Sequence, residues 1–177
     1  MKVATLVVFL ILFAQSVCAS DLGKAVAILE TEWAQAYYQN NDAKQKQLYA
    51  PLLDKAATLV KHYPQAAEPK IWQANLIASN AAFESSITAL SSLDQAKNLL
   101  EEAIRINPKA LDGAAYVTLG TLYFKVPGWP VSFGDNRLAE QMLKTGLKIN
   151  PNGIDTHYFY AEFLLYQDRT DEALEHL

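Results

Sequence analysis

The side chains most often used in catalysis and metal binding are few and scattered in this chain. Its three histidines are His62, His157 and His176, and no two of them have the spacing of metal ligands. The only close acid–histidine pair is Asp155 with His157, which could in principle act as a carboxylate-oriented general base. An Asp at such a place is more often a helix N-cap. Glu172 and His176 are four residues apart, which favours a solvent-facing pair on a helix.

Sequence motifs for other chemistry do not occur. There is no Gly-rich phosphate loop, nucleophile elbow or calcium loop. The acidic pair Glu101 and Glu102 is most simply a solvated helix face. The single cysteine, Cys18, lies in an N-terminal segment that we expect to be removed. We therefore predict no catalytic residues, no metal site and no cofactor, and we expect a protein that is not an enzyme.

The first nineteen residues have the features of a secretory signal peptide. Lys2 precedes an almost wholly apolar run from Val3 to Ala14, and Val17-Cys18-Ala19 offers small residues for cleavage after Ala19. The apolar run is shorter than the roughly 20 residues of a membrane span. The alternative is an uncleaved anchor. We predict a signal peptide over 1–19, a single domain over 20–177, and a periplasmic or secreted location.

Composition limits the partners of the processed chain. The 177 residues contain 15 Lys and Arg and 19 Asp and Glu, and loss of Lys2 with the signal peptide takes the net charge from −4 to −5. A mildly acidic chain without a basic run is a poor nucleic-acid binder. No second long apolar segment follows, so no membrane span is expected after cleavage. The sequence is compatible with a homo-oligomer but does not decide the oligomeric state.

The second half of the chain contains an internal repeat. The segments Leu93–Pro108 and Asn136–Pro151 align with an offset of 43 on their final Asn-Pro, and "DRTDEALEHL" begins a third copy at an offset of 34. Small residues seven apart, with a leucine between them, allow another helix to approach closely. The Asn-Pro ending stops each helix because proline disfavours the helical conformation in the residue before it.

A second apolar-periodic segment precedes each of these helices. One places Tyr116, Leu119, Gly120 and Tyr123 on one helix face, and the segment from Ile154 follows the same spacing. The combined pattern resembles the tetratricopeptide repeat. The resemblance implies an all-α solenoid of about three and a half helical hairpins, at approximately 22–64, 67–108, 112–151 and 154–177.

Two places depart from a regular repeat. The first helix of the second hairpin, around Trp72, lies far upstream of its partner helix, so we expect it to be extended or irregular. The chain stops at Leu177 within the last hairpin, whereas a terminal repeat is normally covered by a polar capping helix. We expect either another chain to cover this end or the sequence to be a fragment.

The segment "FKVPGWPVSFGDN", Phe124–Asn136, interrupts the third hairpin between its two helices and accounts for the offset of 43. Pro127 and Gly128 are predicted at the centre of a type II turn. Asp135 is predicted to N-cap the following helix. Paired helices lie only ~8–10 Å apart, and a segment of this length can span far more than that distance.

The same segment is too apolar for an ordinary solvated loop. We expect Trp129, Val131 and Phe133 to fold over a neighbouring surface. Two interpretations stay open: the segment forms a wall, lid or docking surface, or it plugs the gap between adjacent repeats.

Pro-Gly-Trp-Pro followed by Phe-Gly-Asp, within a repeat and before a helix ending in Asn-Pro, resembles the TRAP transporter T-component family of exported bacterial proteins. The "YFYAEFLL" that follows also fits that family, and the resemblance covers roughly residues 72–177. It implies a periplasmic helper that docks a solute-binding protein of a tripartite transporter, or that holds a small hydrophobic ligand in its own concavity.

The repeat register indicates which side chains face the groove. In the last hairpin they are aromatic, apolar and slightly acidic, so we expect an apolar ligand or an extended or helical protein segment. The alternative function is a general scaffold for envelope protein assembly or secretion. The predicted ligand or partner surface comprises Phe124, Pro127, Gly128, Trp129, Pro130, Phe133, Asp135, Tyr158, Glu162 and Tyr166.

Overall fold

A computed structural model describes residues 21–177 of the chain as a succession of helices. Residues 21–38 form α1. The following helices are α2 (Asp42–His62), α3 (Glu68–Ala81), α4 (Ser86–Ile106), α5 (Ala114–Lys125), α6 (Asn136–Ile149), α7 (Ile154–Tyr166) and α8 (Thr170–Leu174). The predicted signal peptide, 1–19, lies outside the described residues. Among the described helices, none has the length and apolar character needed to cross a bilayer.

Three hairpins, α3/α4, α5/α6 and α7/α8, pack in chain order, and the first helix of each also contacts the hairpin before it. Helix α1 packs with α2 through a shared buried cluster and the Glu32–Lys55 ion pair. The buried side chains form three clusters along the stack. One is shared by α1, α2 and α3, the next by α3, α4 and α5, and the last by α5 to α8. Each cluster lies between neighbouring hairpins, as expected where one hairpin alone cannot bury its apolar face. The predicted all-α helical-hairpin solenoid is therefore confirmed.

Small residues set the distance between the helices of a hairpin. Ala139 and Leu143 are fully buried in α6, and a Cβ atom on Gly146 would lie 2.8 Å from Cγ2 of Val117 in α5. The equivalent residues of α4, Ala96 and Leu100, are also fully buried. The stripe of small residues with a central leucine thus allows the neighbouring helix to approach closely, as the repeat pattern predicts.

The second hairpin corrects one prediction. Its first helix, α3, is a regular helix of 14 residues, and its second helix, α4, has 21. In the repeat alignment, Leu93 is equivalent to the first residue of α6. Helix α4 nevertheless begins earlier, at Ser86. It begins there because Ser85 caps it: the Ser85 side chain accepts a hydrogen bond from the Thr88 N–H. The excess length therefore extends the second helix, and the expectation of an extended or irregular first helix is wrong.

Candidate binding surfaces

The first helices of the hairpins, α1, α3, α5 and α7, lie side by side and form what we call the first-helix face. Polar contacts connect successive members. Trp33 Nε1 donates to Ser79 Oγ at 3.3 Å, and Thr118 Oγ1 donates to Asn75 Oδ1 at 2.9 Å. An ion pair between Lys125 and Glu162 connects α5 with α7. Because these bonds run from helix to helix, they hold the face in a fixed arrangement.

Helix α7 contributes exposed apolar side chains to this face. Tyr158, Leu165 and Tyr166 are 54%, 47% and 62% exposed. They share one side of α7 with Glu162, since residues separated by three, four, seven or eight positions lie on the same face of a helix. Tyr158, Glu162 and Tyr166 were all predicted for the binding surface, and α7 places the three together.

Phe124 and Lys125 support this patch from α5. The Phe124 ring is only 3% exposed and lies 5.6 Å from the rings of both Phe163 and Tyr166. Phe124 therefore packs beneath Tyr166 rather than forming part of the open surface. The ammonium group of Lys125 lies 5.5 Å from the Phe124 ring centre and also pairs with Glu162. The sequence interpretation missed Lys125, although opposite charges at the ends of neighbouring first helices were a usable signal.

Glu162 retains unused hydrogen-bonding capacity. Its Oε1 atom accepts from Lys125, whereas its Oε2 atom is buried and has no hydrogen-bond partner among the described residues. A buried carboxylate oxygen without a donor is uncommon in folded proteins, because its loss of water is not compensated.

The segment between α5 and α6 is closed by its own backbone. Gly134 N–H donates to the Pro127 carbonyl at 3.0 Å, and Val131 N–H donates to the Gly128 carbonyl at 3.1 Å. Gly128 and Gly134 form an isolated β-bridge. A Cβ on Gly134 would lie within 2.9 Å of three backbone atoms of Val126 and Pro127, so only glycine fits this close approach. We call residues 126–135 the insertion loop.

The turn in the insertion loop differs from the prediction. A type II turn over Val126–Trp129 needs a positive φ at Gly128, and among the described residues Gly113 is the only glycine with one. The turn instead spans Gly128–Val131, with a cis peptide bond between Trp129 and Pro130. The prediction for Asp135 is correct: its side chain accepts from Arg137 N–H at 2.8 Å and Leu138 N–H at 3.0 Å and caps α6.

The apolar side chains of the insertion loop point in two directions. Phe133 packs edge-on against Tyr123 with ring centres 5.9 Å apart, and the Lys97 ammonium lies 5.1 Å from the Phe133 ring centre. Trp129 is 90% exposed and Val131 is 64% exposed. Our expectation that all three fold over a neighbouring surface is wrong for Trp129 and Val131. The backbone bonds within the turn direct these two outward, and the chain returns to α5 only at Phe133.

The remaining predicted loop residues, Pro127, Gly128 and Pro130, are exposed beside Trp129. Phe133 thus seals the seam between α4 and α5, as the plug interpretation expected, whereas Pro127 to Val131 form an exposed tip.

Two histidines that we expected to lie apart meet near the end of the chain. Nδ1 of His157 lies 2.9 Å from Nδ1 of His176, and Nε2 of His157 lies 2.9 Å from the Pro151 carbonyl oxygen. Because a carbonyl only accepts, His157 donates through Nε2. In a neutral His157 ring, Nδ1 then accepts a hydrogen bond from Nδ1–H of His176. Burial, followed by the proximity of His157, lowers the pKa of His176. Within residues 21–177 no group of three or more potential metal ligands occurs.

The acidic residues predicted around these histidines have other roles. Asp155 lies in the first turn of α7, whose N-cap is Gly153, so the N-cap interpretation of Asp155 is wrong. Glu172 does not pair with His176. It accepts two hydrogen bonds from Arg169, each 2.6 Å long, and α8 ends at Leu174 before His176 is reached.

Two grooves on the surface are open and shallow. One, of about 500 Å³, lies over α5 between α4 and α6, with Leu119, Tyr123 and Met142 among its lining residues. The other, of about 670 Å³, follows the outer side of α4. Neither is lined by the insertion loop or by α7, so neither is the apolar cavity that the small-ligand interpretation predicts.

Comparison with known proteins supports the fold. No family model matches the chain, and no curated protein matches it. Among solved structures, a thermophilic TPR protein from Thermus thermophilus superimposes with a TM-score of 0.64, at 21% identity over 92% of this chain and 83% of that one. The chain has a tetratricopeptide fold. The comparisons do not show the narrower resemblance to the TRAP T-component family.

Proposed function

We propose that this protein is an exported adapter that binds a segment of another protein on the first-helix face. The observation that carries the proposal is the exposed patch of Tyr158, Leu165 and Tyr166 on α7. Large aromatic side chains are enriched at protein interfaces because they bury much area at a small entropic cost. Here Phe124 and the Lys125–Glu162 pair hold the patch in place, so binding would require little reorganisation.

A protein segment suits this surface better than a small molecule. Small-molecule sites are concave and enclose most of the ligand, whereas Tyr158 and Tyr166 lie more than half exposed on an open helix face. An extended or helical segment could cover both rings at once.

The resemblance of the insertion loop to the TRAP T-component family supports one class of partner. We propose that the bound protein is a periplasmic solute-binding protein of a tripartite transporter. A general scaffold for envelope protein assembly or secretion remains the second candidate, supported by the open form of the surface.

Site-specific photo-crosslinking tests the proposal. A photoreactive phenylalanine analogue at Tyr166 should capture one protein in cells, and the same analogue at Ile154, which is exposed at the opposite end of α7, should not. Tyr158→Ala should reduce capture from position 166. A captured solute-binding protein supports the transporter role, and a component of an assembly or secretion machine supports the scaffold role. Equal capture from both positions, or none from position 166, would contradict binding on this face.

A further inference from the structure

The last hairpin brings two imidazole rings to one accessible point of the surface. His157 lies in the first turn of α7, and His176 follows the end of α8. Their Nδ1 atoms are 2.9 Å apart, although 19 residues separate them in the chain. Both residues are partly exposed, so ions in solution can reach them. Two neutral imidazole nitrogens at such a point are potential ligands of a transition-metal ion.

The surroundings of each ring hold it in place. Nε2 of His157 donates to the Pro151 carbonyl oxygen at 2.9 Å. Histidines that bind metals almost always donate their other ring N–H in this way, because the bond fixes the tautomer and the orientation of the ring. The His176 ring lies edge-on to Tyr160, with ring centres 4.9 Å apart. His157 is therefore arranged in advance as an Nδ1 ligand, and His176 is held beside it.

The distance between the two nitrogens suits two adjacent ligands of a single ion. Metal–nitrogen bonds of about 2.0–2.1 Å that meet at a right angle place their nitrogen atoms about 2.9 Å apart, whereas a tetrahedral angle needs about 3.3 Å. The observed separation of 2.9 Å therefore favours the tetragonal ions Cu²⁺ and Ni²⁺ over Zn²⁺. A turn of the His176 ring directs its Nδ1 to the ion, and the ring then carries its proton on Nε2.

The charge of the last hairpin attracts cations. Residues 154–177 contain a single Lys or Arg, Arg169, and six acidic residues: Asp155, Glu162, Asp168, Asp171, Glu172 and Glu175. The formal net charge of this segment is −5, which exceeds the −4 of the whole chain. Among the described residues no group of three or more potential ligands occurs, so these carboxylates act by raising the local concentration of cations rather than by coordination.

We infer that His157 and His176 bind one Cu²⁺ or Ni²⁺ ion through their Nδ1 atoms, with water in the remaining positions. Two protein ligands give weaker and more reversible binding than the three or four of catalytic and structural sites. The ion connects α7 with the end of the chain and stabilises the folded state, because only the folded chain brings the two rings together. The inference does not depend on the proposed partner, since Leu165 and Tyr166 lie at the opposite end of α7.

Calorimetric titration of the untagged chain with Ni²⁺ tests the site. We expect one ion per chain. His157→Gln and His176→Gln should each weaken binding at least about tenfold, because even the loss of a hydrogen bond that supports a metal ligand lowers affinity about 10–100-fold. His62→Gln is the matched control: it removes the third histidine, which lies exposed at the end of α2, and should leave the affinity unchanged. Unchanged circular dichroism shows that each variant is folded.

Electron paramagnetic resonance of the Cu²⁺ complex distinguishes coordination from an indirect effect of the substitutions. The parent spectrum should show coupling to two imidazole nitrogens, and the spectra of His157→Gln and His176→Gln should show coupling to one at most. Equal Ni²⁺ affinity of the parent and either variant, equal weakening by His62→Gln, or a parent spectrum without two nitrogen couplings would each overturn the inference. The pair would then be a hydrogen bond that only fastens the end of the chain to α7.

Discussion

Gly120 of α5 lies directly against Leu143 of α6: a Cβ atom on Gly120 would come within 2.7 Å of Cγ of Leu143 and 3.1 Å of the Ala139 carbonyl oxygen. Leu143 is itself fully buried. The two helices of the third hairpin are therefore as close as their backbones and this leucine allow, and the glycine at this position of the repeat is required by packing.

Gly120→Ala should destabilise the protein despite the better helix propensity of alanine. The added methyl group must displace Leu143 within a packed core, which costs about 1–3 kcal/mol. Urea unfolding measures the change in the free energy of unfolding. Gly23 is the matched control, because it also lies in a helix and nothing approaches its Cβ position within 4 Å. Gly23→Ala should be neutral or slightly stabilising, and equal destabilisation by both changes would refute the packing argument.

Asp135→Ala should lower the free energy of unfolding by about 1 kcal/mol. The Asp135 side chain accepts from two N–H groups at the start of α6, and alanine leaves both without an acceptor. Asp135→Ser should restore most of the loss, since serine also caps helices well. Chemical denaturation of the three proteins distinguishes a cap from a surface charge. If serine and alanine are equally destabilising, the cap is not the cause.

Glu102→Gln should be more destabilising than Glu101→Gln. The Lys70 ammonium is buried with 5% of its side chain exposed and lies 3.1 Å from Glu102 Oε1, whereas Glu101 makes no ion pair among the described residues. Removing one charge leaves Lys70 without its counter-ion. Because Glu102 is 45% exposed, we expect a loss of about 1–2 kcal/mol rather than that of a wholly buried pair. Thermal unfolding of the two single variants at low salt measures the difference.

Acid should weaken the contact between α7 and the end of the chain. Burial and the nearby His157 lower the pKa of His176, while Glu172 and Glu175 oppose the shift. The unfolded chain has the ordinary value of about 6.5 and so binds protons at a higher pH than the folded state does. The stability associated with His176 is then fully present above about pH 6.5 and is lost as the pH falls towards the lowered pKa.

His176→Gln should flatten this part of the pH dependence of the melting temperature, because the group with the lowered pKa is then absent. NMR titration of the imidazole resonances measures the pKa of His176 directly. A value at or above that of a free histidine would contradict the prediction.

Much of the fold could be predicted because its determinants act over short distances in the chain. The periodicity of apolar residues, the Asn-Pro helix endings and the Asp135 cap each involve a few neighbouring residues. The small residues of α4 and α6 were also recognisable, because the repeat presents them twice. The length of α4 could not be predicted from the repeat, because the helix starts after Ser85, a capping residue outside the repeated segment.

The candidate surfaces were predicted less completely. Tyr158, Glu162 and Tyr166 follow from helical spacing alone, and α7 brings them together. The role of Phe124 as a support, the Lys125–Glu162 pair and the His157–His176 contact depend on which helices become neighbours. No local sequence pattern shows which helices become neighbours, and the rest of α7, a turn and α8 separate the two histidines.

The insertion loop shows where the two kinds of information divide. The residue types and their order show that the segment lies between two helices, that Asp135 ends it and that it is too apolar to be an ordinary loop. The packed fold was needed to show that Phe133 turns inward while Trp129 and Val131 turn outward. The physical reason is that the direction of each side chain is set by backbone hydrogen bonds across the loop and by the surface of α4 and α5 beneath it, and both exist only once the hairpins have packed.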